Sequence, residues 1–408
     1  MKILVIHQYF LEKEGAGGSR FNQFAKYWSK AGHQVTVIAG TVDYQTGKKL
    51  EKYKGKWIVK EKIDKTTILR CFVAESYNKN FLGRLWAYFS FTLSSIWAIL
   101  FSVGKQDIVI ATSPPLFVAI TGYLTKIIKK IPLIFEIRDL WPKFAIDEGL
   151  LKNKLVIKLA YRLENFIYKK ANLINVLTPA FKDYLISEKN IPSQKIIYIP
   201  NGADLDIFQP GQKENWVSKK YGWQNKFVVL YVGAHGVAND LWQIINTAEL
   251  LKDNDKILFV LIGDGMKKPK LEEEVKKRNL NNVQFINPVP KLKMPDFINA
   301  ADVCTAVLKK IYTTTYPNKV FDYMSCLKPI ILPIDGAARK LVVEEARAGI
   351  FVEPENANEF KEAVLFLYYH PEECKKFGQN GYQFVTKNFD RQKLASKYLE
   401  IMSNLVKK

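Results

Sequence analysis

The chain has 408 residues, a formal net charge of +21, 48% hydrophobic and 25% charged residues. That length is two to three domains, which excludes one small domain, and the composition is that of a globular protein, which excludes global disorder. The four cysteines, Cys71, Cys304, Cys326 and Cys374, contain no C-x-x-C pair, so neither a disulfide scaffold nor a zinc ribbon is expected and a reducing compartment fits. The charge is uneven: 31 Lys+Arg face 15 Asp+Glu in residues 1–200, against 30 and 25 in the remainder. Such asymmetry points the first half toward a polyanion or an anionic membrane, unless it reflects a Lys-rich compositional bias.

In chain order, no signal peptide is expected; residues 1–6, MKILVI, read as a short buried strand of a parallel sheet. Helical periodicity over 19–31 ends at Gly32, and 34–39 reads as a second strand. Strand, helix, strand recurs at 107–110, from 115 and at 132–136, and apolar runs at 173–176 and 195–199 continue it. This alternation predicts an α/β fold with a doubly wound parallel sheet. Residues 200–225, with Pro200, Asn201, Gly202, Pro210, Gly211 and Gly222, break the rhythm and read as a linker. A second α/β set has strands at 227–232, 256–262, 283–286, 302–308, 329–332 and 350–352, and three helical segments follow, the last at about 390–406.

Residues 85–104 are 20 uncharged residues between Arg84 and Lys105, long enough to cross a bilayer. Five of them are Ser or Thr, and strands before and after should share one sheet, so a true span is the least favoured alternative. A buried domain helix and a helix lying in the membrane interface both remain open. The basic run Lys48, Lys49, Lys52, Lys54, Lys56, Lys60, Lys62 and Lys65 suits either a solvated loop and strand edge or anionic lipid, which attracts such residues by about 1 kcal/mol each. Trp86 and Trp97 in the neighbouring apolar segment bring the lipid reading level with the solvated one.

Several short motifs carry chemistry. Gly15-Ala16-Gly17-Gly18-Ser19-Arg20 fails as a dinucleotide fingerprint, because Arg20 stands where G-x-G-x-x-G needs its last glycine. It remains either a ligand-facing loop or a helix start needing positive φ. Glu136, Arg138 and Asp139 lie in FEIRDLWP at the carboxyl end of a strand, where ligands of open α/β sheets bind; the Arg-Asp pair is an anion clamp or a self-satisfied ion pair. Gly233, His235 and Gly236 in YVGAHG, and Gly263, Asp264 and Gly265 in LIGDG, each follow a strand and admit phosphate to the backbone, or are ordinary turns. In YPNKVFDYM, Pro317 precedes a helix carrying Asn318, Lys319 and Asp322; Lys with a helix start suits a diphosphate and the carboxylate suits ribose, the alternative being a surface ion pair. Asp204-Leu205-Asp206 has D-x-D spacing but sits in the linker, so metal binding is not expected. No H-E-x-x-H, P-loop or G-x-S-x-G occurs.

Taken in order, GGSR at 17–20, SPPLF at 113–117, FEIRDLWP at 135–142, TPAFKDYL and IPNGADLDIF within 178–208, YVGAHG, LIGDG, and PNKVFDYM with KPI within 317–330 resemble the retaining glycosyltransferases of family 4. The nearest branch resembles the L-fucosamine-type transferases of O-antigen and capsule assembly. The resemblance implies the GT-B fold, two Rossmann-like doubly wound domains facing a cleft: 1–200 for the acceptor, 201–389 for the nucleotide-sugar, and a C-terminal helix at 390–408 packing back on the first. It implies a donor site of Gly233, His235, Gly236, Gly263, Asp264, Gly265, Val289, Thr314, Asn318, Lys319, Val320 and Asp322, and an acceptor site of Gly17, Gly18, Arg20, Glu136 and Arg138. Arg138, Asp139 and Lys319 are the expected catalytic residues.

Three departures stand out. Thr314 occupies the position of the family's first motif glutamate, His235 stands near the place of its Arg and Lys, and Arg138-Asp139 replaces its His-Asp. The implied reaction needs no metal or cofactor. It moves a sugar, an amino-deoxy sugar on the branch resemblance, from a UDP-linked donor to a polyprenyl-diphosphate-linked glycan, by front-face displacement with retention. The implied location is cytoplasmic, peripheral on the inner membrane face. Rival readings are a nucleotide-sugar 2-epimerase on the same fold, a non-catalytic sugar-binding subunit, and a nucleic-acid-binding protein. No nucleic-acid partner is expected, since Tyr53 and Trp57 are the lone aromatics of the basic run.

Overall fold

The structure, a computed structural model, describes residues 1–12, 20–43, 47–76 and 81–407. It divides into two compact units. One holds the described residues up to Pro200 together with those from Gln392 onward, and the other holds Asn201–Arg391.

The first unit is built on eight strands: β1 (Lys2–Ile6), β2 (Gln34–Gly40), β3 (Ile58–Ile63), β4 (Thr66–Cys71), β5 (Ile108–Ser113), β6 (Leu133–Ile137), β7 (Leu173–Val176) and β8 (Ile196–Tyr198), in the order β3-β4-β2-β1-β5-β6-β7-β8. β5 and β6 are buried at every position because helices cover both faces, and their apolar stretches at 108–110 and 133–135 are what the sequence shows. All pairs are parallel except β3–β4. The β3–β4 hairpin escapes the apolar-run reading because β3, IVKEKI, is a half-buried edge whose exposed lysines discourage pairing with another chain. Much of the basic run is already engaged: Lys52 pairs with Glu12 at 2.7 Å, Lys54 with Glu51 at 2.6 Å, and the Lys49 ammonium lies 3.8 Å from the centre of the Phe72 ring. Lys56, Lys60, Lys62 and Lys65 are exposed.

The apolar segment forms the helix Phe81–Phe101, which packs along β2, β4 and the helix Val118–Lys129. Because β4 and β5 on either side of it belong to one sheet, the fold does not build a span. Its buried face holds Ala87, Phe91, Ala98 and Ile99 together with Ser90, Thr92, Ser94 and Ser95. Ser94 Oγ donates to the Phe72 carbonyl at 2.7 Å, and Ser95 Oγ and Thr121 Oγ1 are 3.0 Å apart. Hydrogen bonds to backbone and hydroxyl partners make this polar burial tolerable.

The helix Arg391–Lys407 completes the first unit. The Trp28 indole N–H donates to the Ala395 carbonyl at 3.0 Å, and Tyr398 meets Phe24 and Trp28 edge-on at 6.0 and 5.6 Å between ring centres. Leu394, Ala395, Tyr398 and Met402 thereby join the core beneath β1 and β2.

The second unit has β9 (Phe227–Val232), β10 (Ile257–Ile262), β11 (Val283–Ile286), β12 (Val303–Thr305), β13 (Ile330–Leu332) and β14 (Gly349–Phe351), all parallel, in the order β11-β10-β9-β12-β13-β14. Counted within the unit this is 3-2-1-4-5-6, the order of dinucleotide-binding sheets, and it reverses between β9 and β12. In the first unit the reversal lies between β1 and β5. Ligands of open α/β sheets bind beyond the carboxyl ends of such strand pairs.

Candidate active site

In the second unit the loops after β9 and β10 touch backbone to backbone. Gly233 N–H donates to the Ile262 carbonyl at 2.9 Å, and His235 N–H to the Asp264 carbonyl at 2.8 Å. A Cβ at Gly263, whose φ is +148°, would stand 1.9 Å from the Gly233 oxygen, so no side chain fits there. His235 is fully buried, and neither ring nitrogen has a partner among the described residues. Burial, then the neighbouring Lys268 ammonium, pushes its pKa down to about 4, so the ring is neutral at pH 7. A buried, unpaired, neutral imidazole keeps one N–H to donate and one nitrogen to accept.

Lys319 begins the helix Lys319–Ser325. Its ammonium lies 3.8 Å from the centre of the Tyr231 ring, and a Cβ at Gly233 would meet it at 2.7 Å. Gly233 is thus required for a second reason, to leave room for the ammonium. No carboxylate among the described residues lies within ion-pair distance of Lys319, and desolvation draws its pKa down to about 7. An ammonium withdrawn from water without a counter-charge is primed for an anion. The surface pair read as the alternative, Lys319 with Asp322, does not form. Asp322 instead feels Lys291, Arg391 and Asp204, and burial raises its carboxyl to about 6. The helix is anchored at the mouth of β9, where Val232 N–H donates to the Tyr323 hydroxyl at 2.9 Å.

The other expected donor residues are placed as follows. Gly236 and Asp264 lie in the two loops, Asp264 exposed, and a Cβ at Gly265 would stand 2.6 Å from the His235 oxygen. Asn318 is exposed and makes no side-chain cap, Val320 is buried in the core, and Thr314 is half-buried in the segment before the helix. Val289 lies after β11 against that core. Asp204 is buried, with its carboxylate 2.8 Å from Lys291 and 3.4 Å from Arg391. Asp204 is therefore committed to an internal ion cluster, while Asp206 is exposed.

The first unit corrects two acceptor assignments. Arg20 is buried and bound to Glu136 through two nitrogens, Nε to Oε1 at 2.9 Å and Nη2 to Oε2 at 3.1 Å. Nη2 also donates to the Ile199 carbonyl at 2.7 Å, Nη1 donates to that of Pro200, and Asn175 Nδ2 donates to Glu136 at 2.8 Å. Arg20 and Glu136 therefore tie the first helix to the last strand and are not available to hold an acceptor. Gly17 and Gly18 lie outside the described residues.

Arg138 does reach the switch point of the first sheet. Its Nη1 is 3.4 Å from His7 Nε2, while Nε is buried without a partner among the described residues. A guanidinium only donates, so Nε2 accepts, and His7 Nδ1–H donates to Thr112 Oγ1 at 2.8 Å. Burial, then Arg138, holds the His7 pKa well below its ordinary value, keeping it neutral. Asp139 follows, its carboxyl raised to about 6 by burial against the opposing pull of Arg138. Motif reading missed His7, although its place one residue beyond β1 marks it. It also missed Lys268, whose buried ammonium binds Gly263 O at 3.1 Å and Asn287 Oδ1 at 2.7 Å beside His235.

Two parallel α/β units with these switch points constitute the GT-B fold: the chain superposes on Anabaena Alr3699/HepE in complex with UDP-glucose with a TM-score of 0.72 at 16% identity, covering 99% of this chain and 100% of that one. Residues 18–207 match the family described as Glycosyltransferase Family 4, and residues 213–384 match Glycosyl transferases group 1. The chain is a GT-B glycosyltransferase assembled from these two domains. It is 25% identical over 317 residues to the Escherichia coli (strain K12) protein WcaI, named for colanic acid biosynthesis glycosyl transfer, covering 76% of this chain and 77% of that one. It is 23% identical over 264 residues to the alpha-D-kanosaminyltransferase of Streptomyces kanamyceticus, covering 64% and 67%.

Proposed function

We propose that the protein transfers an amino-deoxy sugar from a UDP-linked donor to a polyprenyl-diphosphate-linked glycan in surface-polysaccharide assembly, with retention and without a metal ion. The observation that carries the donor half is the desolvated Lys319 ammonium beside Gly233, at the carboxyl end of the first strand of the second sheet. The UDP-glucose complex of a protein with the same fold supports the nucleotide, and the names of the two relatives support an amino sugar and a surface polysaccharide. Thr314, in place of a carboxylate, suits a sugar with fewer hydroxyls to hold.

In this reading the bond from the anomeric carbon to the diphosphate breaks as the acceptor oxygen attaches from the same face. Lys319 neutralises the charge that develops on the departing diphosphate, and the His235 N–H donates to it. Asp322 accepts from the ribose hydroxyls. Arg138 holds the acceptor phosphate, and Asp139 orients the attacking hydroxyl and takes its proton. Thermal-shift and saturation-transfer measurements against UDP-, GDP- and ADP-sugars test the donor. Binding of a UDP-sugar that is lost in Lys319→Ala supports the assignment, and equal binding by that variant overturns it. Transfer to a polyprenyl-diphosphate glycan, with the product's anomeric configuration read by NMR, tests the acceptor and the stereochemistry. Turnover of donor alone would instead indicate epimerisation.

A further inference from the structure

The helix Phe81–Phe101 is apolar on its outer face as well as on its inner one, where Ala87, Phe91, Ala98 and Ile99 are buried. Its serines and threonines face the sheet, whereas Trp86, Phe89, Leu93, Trp97, Leu100 and Phe101 face outward, between 41% and 67% exposed. A water-facing helix presents the reverse pattern. These positions recur at spacings of three and four, so they form one continuous stripe.

The stripe does not stand alone. The helix Val118–Lys129 lies beside it and exposes Ile127 and Ile128, and the helix Lys154–Lys170 lies beside that and exposes Leu155, Leu159 and Phe166. The three form one layer. Lys129 Nζ donates to the Val103 carbonyl at 2.7 Å just beyond the first helix, Lys126 Nζ to the Lys170 carbonyl at 2.7 Å, and Tyr123 meets Phe166 at 4.8 Å between ring centres.

The charge of this layer has one sign. The first two helices contain no acidic residue, and Glu164, the one carboxylate of the third, is buried on Lys189 at 2.5 Å. Lys130, Lys154, Lys158, Arg162, Lys169 and Lys170 are exposed around it. A second copy of the same face would set cations against cations, which opposes self-association. An apolar centre with aromatic anchors and a cationic rim is complementary to an anionic bilayer.

From this arrangement we infer that the three-helix face docks on an anionic lipid bilayer as a monotopic surface, with the outward stripe of Phe81–Phe101 lying among the acyl chains. The inference does not depend on the proposed transfer reaction, and its test needs neither donor nor acceptor. The full chain is mixed with vesicles of phosphatidylcholine alone, or of phosphatidylcholine with phosphatidylglycerol, and sedimented. Indole fluorescence is read with bromine-labelled acyl chains. Binding to the anionic vesicles with quenching is expected. Trp86→Phe with Trp97→Phe should keep binding and lose most of the quenching. Leu93→Ser and Trp97→Ser, both at exposed positions, should each weaken binding about tenfold. Lys154→Gln with Lys158→Gln should weaken binding to anionic vesicles and flatten its salt dependence. The inference is overturned if the chain stays in the supernatant, if it binds without quenching, or if it is a dimer that Leu93→Asp dissolves and that ignores vesicles.

Discussion

Each unit brings one cation from the start of a helix toward the carboxyl edge of its sheet, and the two are used in opposite ways. Arg20 is met by both oxygens of Glu136 and two backbone carbonyls, a planar fork with its geometry filled. Lys319 has an aromatic face beneath it and no carboxylate within ion-pair distance among the described residues. The difference teaches that a cation near a glycine-rich turn is no evidence of a ligand site by itself. What matters is whether the fold has already supplied its counter-charge.

The strongest attack on this contrast is Arg20→Ala. It orphans the Glu136 carboxylate in the core and should destabilise the first unit by about 3–5 kcal/mol, read by denaturant unfolding, while donor affinity stays unchanged. An unaltered unfolding midpoint would mean the pair holds nothing together. Lys319→Ala should do the converse. The specificity constant kcat/KM should fall about 10²- to 10³-fold with no loss of thermal stability, because a desolvated charge without a counter-charge is removed.

The third test titrates Lys319 in place. With a free pKa of about 7, raised when a diphosphate binds, the site is charged below that pH and neutral above it. Donor affinity should therefore be full in mildly acidic buffer and fall by up to about tenfold per pH unit above 7, with proton uptake on binding seen by calorimetry in buffers of different ionisation heat. Uniform affinity from pH 6 to 9 would contradict it. A smaller effect is expected from His7→Gln, which keeps a donor and an acceptor but alters how Arg138 is held. The acceptor KM should rise about fivefold with kcat nearly constant, in line with about 1 kcal/mol for one hydrogen bond. Least of all, Tyr231→Leu should remove about 0.5–1 kcal/mol of cation–π attraction and move the pH midpoint of donor binding downward by a fraction of a unit.

The fold was legible in the sequence wherever strands are buried on both faces, since β9 and β10 are unbroken apolar runs and β1, β5 and β6 each hold at least three consecutive apolar residues. The β3–β4 hairpin was not, because an edge strand is written in lysines rather than in valines. The donor loops were legible for a local reason: the glycines and Lys319 sit within a few residues of strand or helix ends. The fate of Arg20 was hidden because its partner is 116 residues away. A motif names a side chain but does not name what neutralises it. The orientation of the Phe81–Phe101 helix was hidden too, because its composition is equally apolar whichever face turns inward.

The placement of the helix Arg391–Lys407 bears on how the protein is made. Phe24 and Trp28 emerge from the ribosome long before Tyr398 and Met402, which close the core over them. The second unit, Asn201–Arg391, is a contiguous stretch of chain and is finished first. Vectorial synthesis thus reverses the usual order, in which the N-terminal domain folds before the rest. The nascent first unit waits with an open aromatic cleft until the helix Arg391–Lys407 is made, and a truncation just after Arg391 would damage the N-terminal unit rather than the one it adjoins in sequence.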